Sequence, residues 1–261
     1  MPPELELQIA LARTAPREKI KSLLSESTGE VLLALLENPN LEEPEVVLLL
    51  GRLDLPVTVL SAIASAGKWV SSEAVRFRLA RHPRTPRHFA FAAIRQLYLF
   101  DLVRLSLLPT ASPDVRRAAE EVILTRVPHL PVGEKLTLAR KGPSRVAATI
   151  LAEGHPQAIR LALGNPFLTE SQVLKALAKS GLPERVVVAV AQHPKWSGQY
   201  NVRAALVRNP QTPAALVRAF LPNLTLGDLR EISRLEGLAS HLRKELRHEL
   251  ERRAEATGKP G

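Results

Sequence analysis

The sequence predicts an all-α fold, namely a curved α-solenoid of short helices built from two duplicated halves. Apolar residues recur at helical spacing between prolines, and the prolines at 16, 39, 56 and 83 have the same spacing as those at 143, 166, 183 and 210. The chain also repeats itself at a constant offset, which pairs position 11 with position 138. Short helices that cannot each bury a face alone are stabilised by stacking side by side around a shared core.

The internal repeat is long and ungapped. The offset is 127 residues, and we call the residue 127 positions away the counterpart. Between residues 11 and 86, 27 of 76 residues are identical to their counterparts. The prolines at 16, 39, 56, 83 and 86 all have proline counterparts. We therefore predict one helical-repeat domain over residues 1–261, made of the duplicated halves 1–127 and 128–261.

Helices are predicted between the prolines, in order along the chain. Residues 16–26 place Ile20 and Leu24 on one face. Residues 56–65 and 183–192 begin with proline at the first helical position, where the missing N–H costs nothing. The second of these is rich in valine and could be mistaken for a strand, but its counterpart has helical spacing. We therefore expect it to be a buried helix.

The two longest helices are predicted at 112–127 and near the C-terminus. In the C-terminal segment, leucines form one narrow stripe with charged residues elsewhere: Leu235, Leu238, Leu242, Leu246 and Leu250. A one-faced helix over 235–255 is typical of an element that caps a repeat array. The sequence indicates about eight helices in each half.

The joint "VRNPQTP" at 207–213 connects two predicted helices. Pro210 moves Asn209 out of the α region and ends the first helix. We expect Thr212 to be the N-cap, its hydroxyl accepting a free N–H, and Pro213 to start the next helix. The same turn and capping logic applies to the counterpart joint at 81–86. Asn209, Thr212 and Pro213 are expected to serve turn and capping roles only.

Two segments resemble a known repeat family. "VRFRLARHPRTP" at 75–86 and "VRAALVRNPQTP" at 202–213 look like the leucine-rich repeat variant, a relative of HEAT-like helical repeats. The resemblance implies an α-solenoid that acts as a binding or scaffolding module. Some members carry a Cys-ligated iron–sulfur cluster, which does not transfer to a chain without cysteine. Some HEAT-like solenoids bind DNA, including glycosylases that act on alkylated bases.

Charge is unevenly distributed along the chain. Residues 1–73 carry 6 Lys/Arg against 11 Asp/Glu, residues 74–127 carry 10 against 4, and residues 128–261 carry 20 against 11, so the net charge is +10. A step from acidic to basic favours an acidic or polyanionic partner. The alternative is an arginine-rich helix face that is simply solvated.

Cysteine is absent, which excludes disulfides, thiolate metal sites and a cysteine nucleophile. No apolar run reaches the length of a membrane span, and the N-terminal segment lacks the basic region of a signal peptide. We therefore expect a cytoplasmic protein without a membrane span.

An arginine-rich segment is the main candidate binding site. It contains Arg76, Arg78, Arg81, Arg84, Arg87 and Arg95, with His82 and His88 among them. Guanidinium groups bind phosphate and carboxylate bidentately. Arg76 and Arg81 have arginine counterparts, so we assign them to the fold. Arg78, Arg84, Arg87 and His88 have none and are the stronger candidates for a polyanion or partner, the alternative being pairing with the acidic first third.

The aromatic candidates are Trp69 and Trp196, the only tryptophans, each of which follows a lysine. They could form a stacking platform for a partner. We favour the interpretation that each is a large apolar plug between helices. Tyr98 and Phe100 are expected to lie in the core.

Catalysis has little support in the sequence. The seven histidines are scattered, and no motif for zinc, phosphate-loop or serine-hydrolase chemistry occurs. We therefore predict a non-enzymatic binding or scaffold protein, without metal or cofactor, whose groove binds an acidic protein or peptide. The alternatives are a nucleic-acid-binding solenoid and, third, an enzyme resembling a DNA-repair glycosylase.

Overall fold

The protein is helical throughout in this computed structural model, which describes residues 3–26, 28–235, 238 and 240–257, without the side chains of 256 and 257. Those residues include no strand, so the predicted all-α class is confirmed. The chain divides into two compact units, Met1–Arg126 and Val127–Gly261.

The first unit contains ten α-helices in its described residues, more than the eight that the sequence indicates. They are α1 (Pro3–Thr14), α2 (Arg17–Leu23), α3 (Gly29–Leu36), α4 (Glu43–Leu49), α5 (Val57–Ser65), α6 (Gly67–Val70), α7 (Glu73–Arg81), α8 (Arg87–Gln96), α9 (Leu99–Ser106) and α10 (Pro113–Arg126). Helices two positions apart pack together, α1 on α3, α3 on α5 and α5 on α7, and α10 packs on α8 and α9.

The described part of the second unit also contains ten α-helices, with short 3-10 turns at Val127–His129 and Leu221–Asn223. They are α11 (Val132–Lys141), α12 (Ser144–Glu153), α13 (Pro156–Leu163), α14 (Glu170–Leu177), α15 (Glu184–Gln192), α16 (Pro194–Ser197), α17 (Tyr200–Arg208), α18 (Ala214–Phe220), α19 (Leu226–Ser233) and α20 (Ser240–Thr257). Here α11 packs on α13, α13 on α15 and α15 on α17, while α20 packs on α18 and α19.

Helix starts recur at counterpart positions in the two units. The first residue of each helix from α2 to α10 is the counterpart of the first residue of the matching helix from α12 to α20, as Glu73 and Tyr200 are for α7 and α17. The valine-rich segment 183–192 is a helix, as predicted: it forms α15, with Val186, Val187 and Val190 buried.

At four helix starts, proline is the N-cap residue and not, as the sequence predicts, the first helical residue. Pro56, Pro86, Pro183 and Pro213 are N-cap residues with extended ψ angles, not first helical residues. The fixed φ of proline is compatible with both conformations, and neither position needs its missing N–H. The helices therefore form where predicted, but each begins one residue later.

Thr212 is not the N-cap that the sequence predicts. Because Pro213 holds that position, the Thr212 hydroxyl instead donates to the carbonyl of Leu206 in the last turn of α17. The last carbonyls of a helix lack partners within the helix and need donors from elsewhere. Thr212 is 1% exposed, so this hydrogen bond is buried. The residue closes the helix before the joint and does not cap the helix after it.

Buried asparagines at the joints do more than form turns. Asn165 Nδ2 donates to the carbonyls of Ala139 and Gly142 at 2.9 and 3.0 Å, and its Oδ1 accepts the N–H two residues later. Asn38 and Asn209 make the same kinds of bond. Each amide side chain therefore tightens its own turn and also ties it to a carbonyl of an earlier helix or joint. The expectation of turn and capping roles alone is too narrow for Asn209.

At the joint between α7 and α8, the residue at the asparagine position is His82, the counterpart of Asn209. Its Nδ1 accepts the N–H of Arg84 at 3.1 Å, so its Nε2 carries the hydrogen and donates to the carbonyl of Arg52 at 2.7 Å. The ring is 5% exposed. Burial lowers the pKa of His82, and the nearby Arg84 and Arg81 charges lower it further. His82 is thus a neutral structural residue of the joint.

The C-terminal helix begins at Ser240, later than the predicted residue 235. Leu235 lies outside the helix and is 41% exposed, whereas Leu242 and Leu246 are buried in the core of the second unit. The rest of the predicted first turn, namely Glu236, Gly237 and Ala239, lies outside the described residues.

Candidate functional site

Three arginines of the candidate segment make local contacts within the first unit. Arg76 donates to the carbonyls of Val70 and Ser71 and pairs with Glu73 at 2.6 Å. Arg84 Nη1 donates to the carbonyl of Asp54 at 2.8 Å. The third, Arg87, pairs with Asp114. These contacts hold the turns of the first unit in place.

Arg87 lies on the first turn of α8 and remains largely in solvent. It pairs with Asp114 at 3.3 Å, and its guanidinium carbon lies 5.0 Å from the ring centroid of Phe91. His88 and Arg95, also on α8, are exposed. The ring of His88 contacts that of Phe89, with the centroids 4.1 Å apart. His88 and Arg95 are therefore solvent-exposed residues of α8, and neither is among the residues whose charges lower the pKa of Arg81.

Arg78, Arg81 and Arg104 form a cluster of like charges on α7 and α9, which we call the arginine cluster. Arg78 and Arg81 are three residues apart and share a face of α7. The guanidinium carbon of Arg104 lies 4.7 Å from the ring centroid of Phe77, which is one turn before Arg81 on the same face. Burial lowers the pKa of Arg81, and the charges of Arg78 and Arg104 lower it further.

In the described part of the chain, the guanidinium groups of the arginine cluster have no hydrogen-bond or ion-pair partner. None of the three donates a hydrogen bond or forms an ion pair to another residue in the described part of the chain, unlike Arg76 and Arg87. Asp101 on α9 lies near enough to feel the charge of Arg104, but its carboxyl is hydrogen-bonded to Glu73. Arg78 and Arg81 are half-buried and Arg104 is exposed, so the cluster has unused hydrogen-bond donors and excess positive charge that a ligand can reach.

The counterpart position in the second unit is neutralised. Arg208, the counterpart of Arg81, pairs with Glu231 at 3.4 Å and with Asp228 at 3.8 Å. Glu231 is the counterpart of Arg104, and Ala205 is the counterpart of Arg78. At these two counterpart positions the residues differ, so the second unit has an internal ion pair where the first has an arginine cluster without an ion-pair partner.

The two units also treat the aspartate beside this position in opposite ways. Burial raises the pKa of Asp101, and the neighbouring carboxylate of Glu73 raises it further. In the second unit Tyr200 stands at the counterpart of Glu73, and its hydroxyl donates to Asp228. Hydrogen bonds from Thr225 and Tyr200 therefore lower the pKa of Asp228.

A cavity and exposed leucines adjoin the arginine cluster. Arg81 lines a cavity of about 320 Å³, together with residues of the α7–α8 joint, α8 and the start of α10. Arg78 extends over the turn after α4, with its Nη1 3.9 Å from where a Cβ of Gly51 would stand. On that same segment Leu48 and Leu53 are 60% and 68% exposed. The cluster therefore lies beside apolar side chains that face solvent.

The tryptophans lie in the interior of their units. Trp69 and Trp196 are 4% and 2% exposed, and the preceding lysine covers each ring at 4.2 Å. Trp196 Nε1 also donates to the carbonyl of Leu163 at 3.0 Å. The structure thus presents neither ring as an open stacking surface.

Tyr98 and Phe100 are not core residues, in contrast to the prediction. They are 68% and 53% exposed at the start of α9. Tyr98 is the N-cap residue of that helix and Phe100 lies in its first turn, so both side chains project before the buried face begins at Leu102.

Arg104 is the functional candidate that sequence reasoning missed. It lies outside the dense arginine segment 76–95, and only α-helical packing of α9 on α7 brings it to Arg81. The repeat offered a signal, because Asp101 and Leu102 have identical counterparts and Arg104, two positions later, has the oppositely charged counterpart Glu231. Comparing the charges of counterpart residues beyond position 86 would have found it.

Comparisons with known proteins identify no relative. No family model matches the chain, and no curated protein or solved structure matches it significantly. Within the described ranges, no three His, Asp or Glu side chains gather where they could hold a metal ion. No helix in the described part of the chain has both the length and the apolar character needed to cross a bilayer.

Proposed function

We propose that this protein is a non-enzymatic helical-repeat binding protein, an α-solenoid of the leucine-rich repeat variant or HEAT-like type that arose by internal duplication. Support for duplication comes from the helix starts that recur at counterpart positions and from the asparagine joints in both units. Support for a repeat array comes from the packing of helices two positions apart within each unit.

The function we propose is recognition of an acidic segment of a partner protein by the arginine cluster. One observation supports this most strongly. Arg78, Arg81 and Arg104 have no internal carboxylate partner among the described residues, whereas their counterparts form the Arg208–Glu231 ion pair. Like charges that lie close together repel one another, and the partial burial of Arg81 adds to that cost unless an anion compensates it. An acidic ligand supplies that anion, and arginine is well suited to bind it bidentately.

The neighbouring leucines favour a protein over a nucleic-acid strand. Leu48 and Leu53 are exposed on the segment over which Arg78 extends. Exposed leucines contribute to binding only where the partner offers apolar surface, which acidic peptides with apolar residues have and a phosphate backbone lacks. Their counterparts are Lys175 and Ser180, so this pairing of leucine with arginine belongs to the first unit.

A non-enzymatic role is supported by the same geometry. A glycosylase-like site needs open aromatic rings to stack on a flipped base. The tryptophans are buried, and the exposed rings of Tyr98 and Phe100 lie at the start of α9. The carboxyls near the cluster, Asp101 and Glu73, are engaged with each other and with Arg76, which argues against a role for them as a catalytic base beside those rings.

The test is a binding titration across salt with two labelled probes, a peptide that alternates glutamate with leucine and single-stranded oligothymidylate. We expect the peptide to bind at low salt and to weaken as salt rises. Arg78→Ala with Arg104→Ala is expected to weaken peptide binding by about tenfold or more, because interface arginines are common hot spots. Leu48→Ser is expected to weaken it less.

Arg230→Ala is the matched control, since Arg230 is an exposed arginine on α19 of the second unit. It is expected to leave peptide affinity unchanged. Oligothymidylate that binds more tightly than the peptide, with no effect of Leu48→Ser, would contradict recognition of a protein and point to a nucleic-acid ligand.

A further inference from the structure

The arginine cluster carries more positive charge than a single carboxylate can compensate. The charges of Arg78 and Arg104 both act on Arg81, and the guanidinium of Arg104 stacks on Phe77, one turn before Arg81. Against these three positive charges Asp101 contributes one negative charge nearby, which leaves an excess of two. In the second unit, Arg208 pairs with Asp228 and Glu231, so the same position has an excess of one negative charge. The excess in the first unit therefore favours a ligand group that carries two negative charges over one that carries a single charge.

The donors at the cluster are also more numerous than a carboxylate can accept. Each guanidinium has five N–H donors in a planar fork, whereas a carboxylate has two oxygens in one plane. A phosphoryl group has three terminal oxygens that project in different directions, so arginines from two helices can approach it together. Arg78 and Arg81 come from α7 and Arg104 from α9, which matches that arrangement.

We infer that the arginine cluster is a phosphoryl-binding site for a phosphorylated serine or threonine on a partner protein. This inference rests on the proposed function and names the anion that it recognises. The monoester carries about 1.5 to 2 negative charges at neutral pH, close to the excess at the cluster, whereas each phosphodiester of a nucleic acid carries only one. The exposed Leu48 and Leu53 supply the apolar contacts for residues that flank the phosphorylated one.

The cavity beside Arg81 supports the same ligand. It holds about 320 Å³, and Arg81 is the member of the arginine cluster that lines it, together with the hydroxyl residues Thr110 and Ser112. Arg87 also lines it but is already paired with Asp114. Arg81 is therefore the cation of this cavity that remains for an incoming anion, and the hydroxyls are additional hydrogen-bonding groups for it.

The experiment uses the full chain and a matched trio of labelled peptides. All three alternate leucine with glutamate and differ at one central residue, which is phosphoserine, glutamate or serine. We expect the phosphoserine peptide to bind about tenfold more tightly than the glutamate peptide, because its extra charge-assisted hydrogen bonds are strong ones. Arg104→Glu, which introduces the residue found at the counterpart position, is expected to abolish this preference, while the control Arg230→Glu keeps it.

A pH profile adds a second readout. The second ionisation of phosphoserine lies near pH 6, so its binding is expected to strengthen between about pH 5 and pH 7. Binding of the glutamate peptide is expected to stay level, because glutamate is ionised throughout that range. The ordinary pKa of histidine falls in the same range and His82 lies between Arg81 and Arg84, so both profiles are measured on His82→Asn. Other titratable groups near the site are Asp101 and Glu73 beside the cluster, Asp114 in the lining of the cavity, and Asp54 near His82.

The outcomes separate the two proposals. Equal binding of the phosphoserine and glutamate peptides would overturn the phosphoryl site and leave the proposed function standing. Failure of all three peptides to bind at low salt would overturn both. Binding of phosphoinositide vesicles without any preference for the phosphoserine peptide would also overturn the inference, because the phosphate would then be that of a lipid.

Discussion

At the scale of single residues, the joints depend on amide side chains whose polar atoms are all bonded. Asn165 is 1% exposed, and its Nδ2 satisfies two carbonyls that no helix partner reaches. Buried carbonyls that lose their donor cost far more than the hydrogen bond itself contributes. The asparagine is therefore the residue of the joint on which stability depends most.

Asn165→Ala is expected to destabilise the second unit by about 2 kcal/mol or more, because it leaves the carbonyls of Ala139 and Gly142 without donors. The measurement is chemical unfolding followed by circular dichroism. Asn201→Ala is the control: this asparagine is exposed and bonded only to Glu170, so we expect a loss of about 0.5 kcal/mol or less. Equal losses for the two variants would show that burial of the amide is not what matters.

Single residues were also where prediction from sequence failed most often. The Asn-Pro pattern indicated a turn correctly, since that depends on neighbouring residues. The tie from Asn209 to Leu177 spans 32 residues and leaves no local pattern. The role of Thr212 also leaves no local pattern, because its hydroxyl can bond either to the helix before it or to the helix after it. Only the backbone position of Pro213 decides that choice.

At the scale of elements, helices were predictable because each has its own apolar spacing and a proline at its start. The sequence still indicated too few of them. The two that are hardest to find, α6 (Gly67–Val70) and α16 (Pro194–Ser197), have four residues each, which is too short to show a helical period. The start of α20 was placed too early because the leucine stripe continues before the backbone becomes helical.

At the junction of α7 with α9, the carboxyl of Asp101 makes the stability of the protein depend on pH. The raised pKa of Asp101 means that the folded state holds its proton more tightly than the unfolded state, so this carboxyl favours folding at low pH. That contribution is lost as the pH rises through the raised pKa. Asp101→Asn is therefore expected to raise the melting temperature at neutral pH and to have no such effect near pH 3, where the wild-type carboxyl is protonated in both states.

Asp228→Asn provides the matched and opposite case at the junction of α17 with α19. The lowered pKa of Asp228 means that its stabilising effect is present at neutral pH and is lost as the pH falls through the lowered pKa. The variant is expected to lower the melting temperature at neutral pH. Shifts of the same sign in the two variants would contradict the assignment of opposite surroundings.

At the scale of the whole molecule, the net charge of +10 does not locate a binding site, because many arginines are engaged locally. The site becomes visible only when counterpart positions in the two units are compared. A repeat supplies two versions of the same packing, so a difference in charge at one position is not required by that packing. This is why Arg104 and Glu231 are more informative than the total.

The differences between counterpart positions predict that the binding site of the first unit can be introduced into the second unit by substitution. Ala205→Arg with Glu231→Arg places an arginine cluster around Arg208, and the cavity of about 340 Å³ that Ala205 lines leaves room for the longer side chain. Removing the partly exposed Arg208–Glu231 pair costs about 1 kcal/mol or less. The added like charges destabilise the second unit further, but position 231 is largely exposed to solvent, so the variant is expected to fold.

The measurement is the number of labelled phosphoserine peptides bound per chain at saturation, which we expect to double in the transplanted variant. Glu231→Gln is the control, because it removes the same internal partner without adding guanidinium groups, and it is expected to leave that number unchanged. A folded transplant that binds no additional peptide would show that three unpaired arginines are insufficient. Recognition would then require the leucines that the first unit has and the second lacks, which Lys175→Leu and Ser180→Leu would restore.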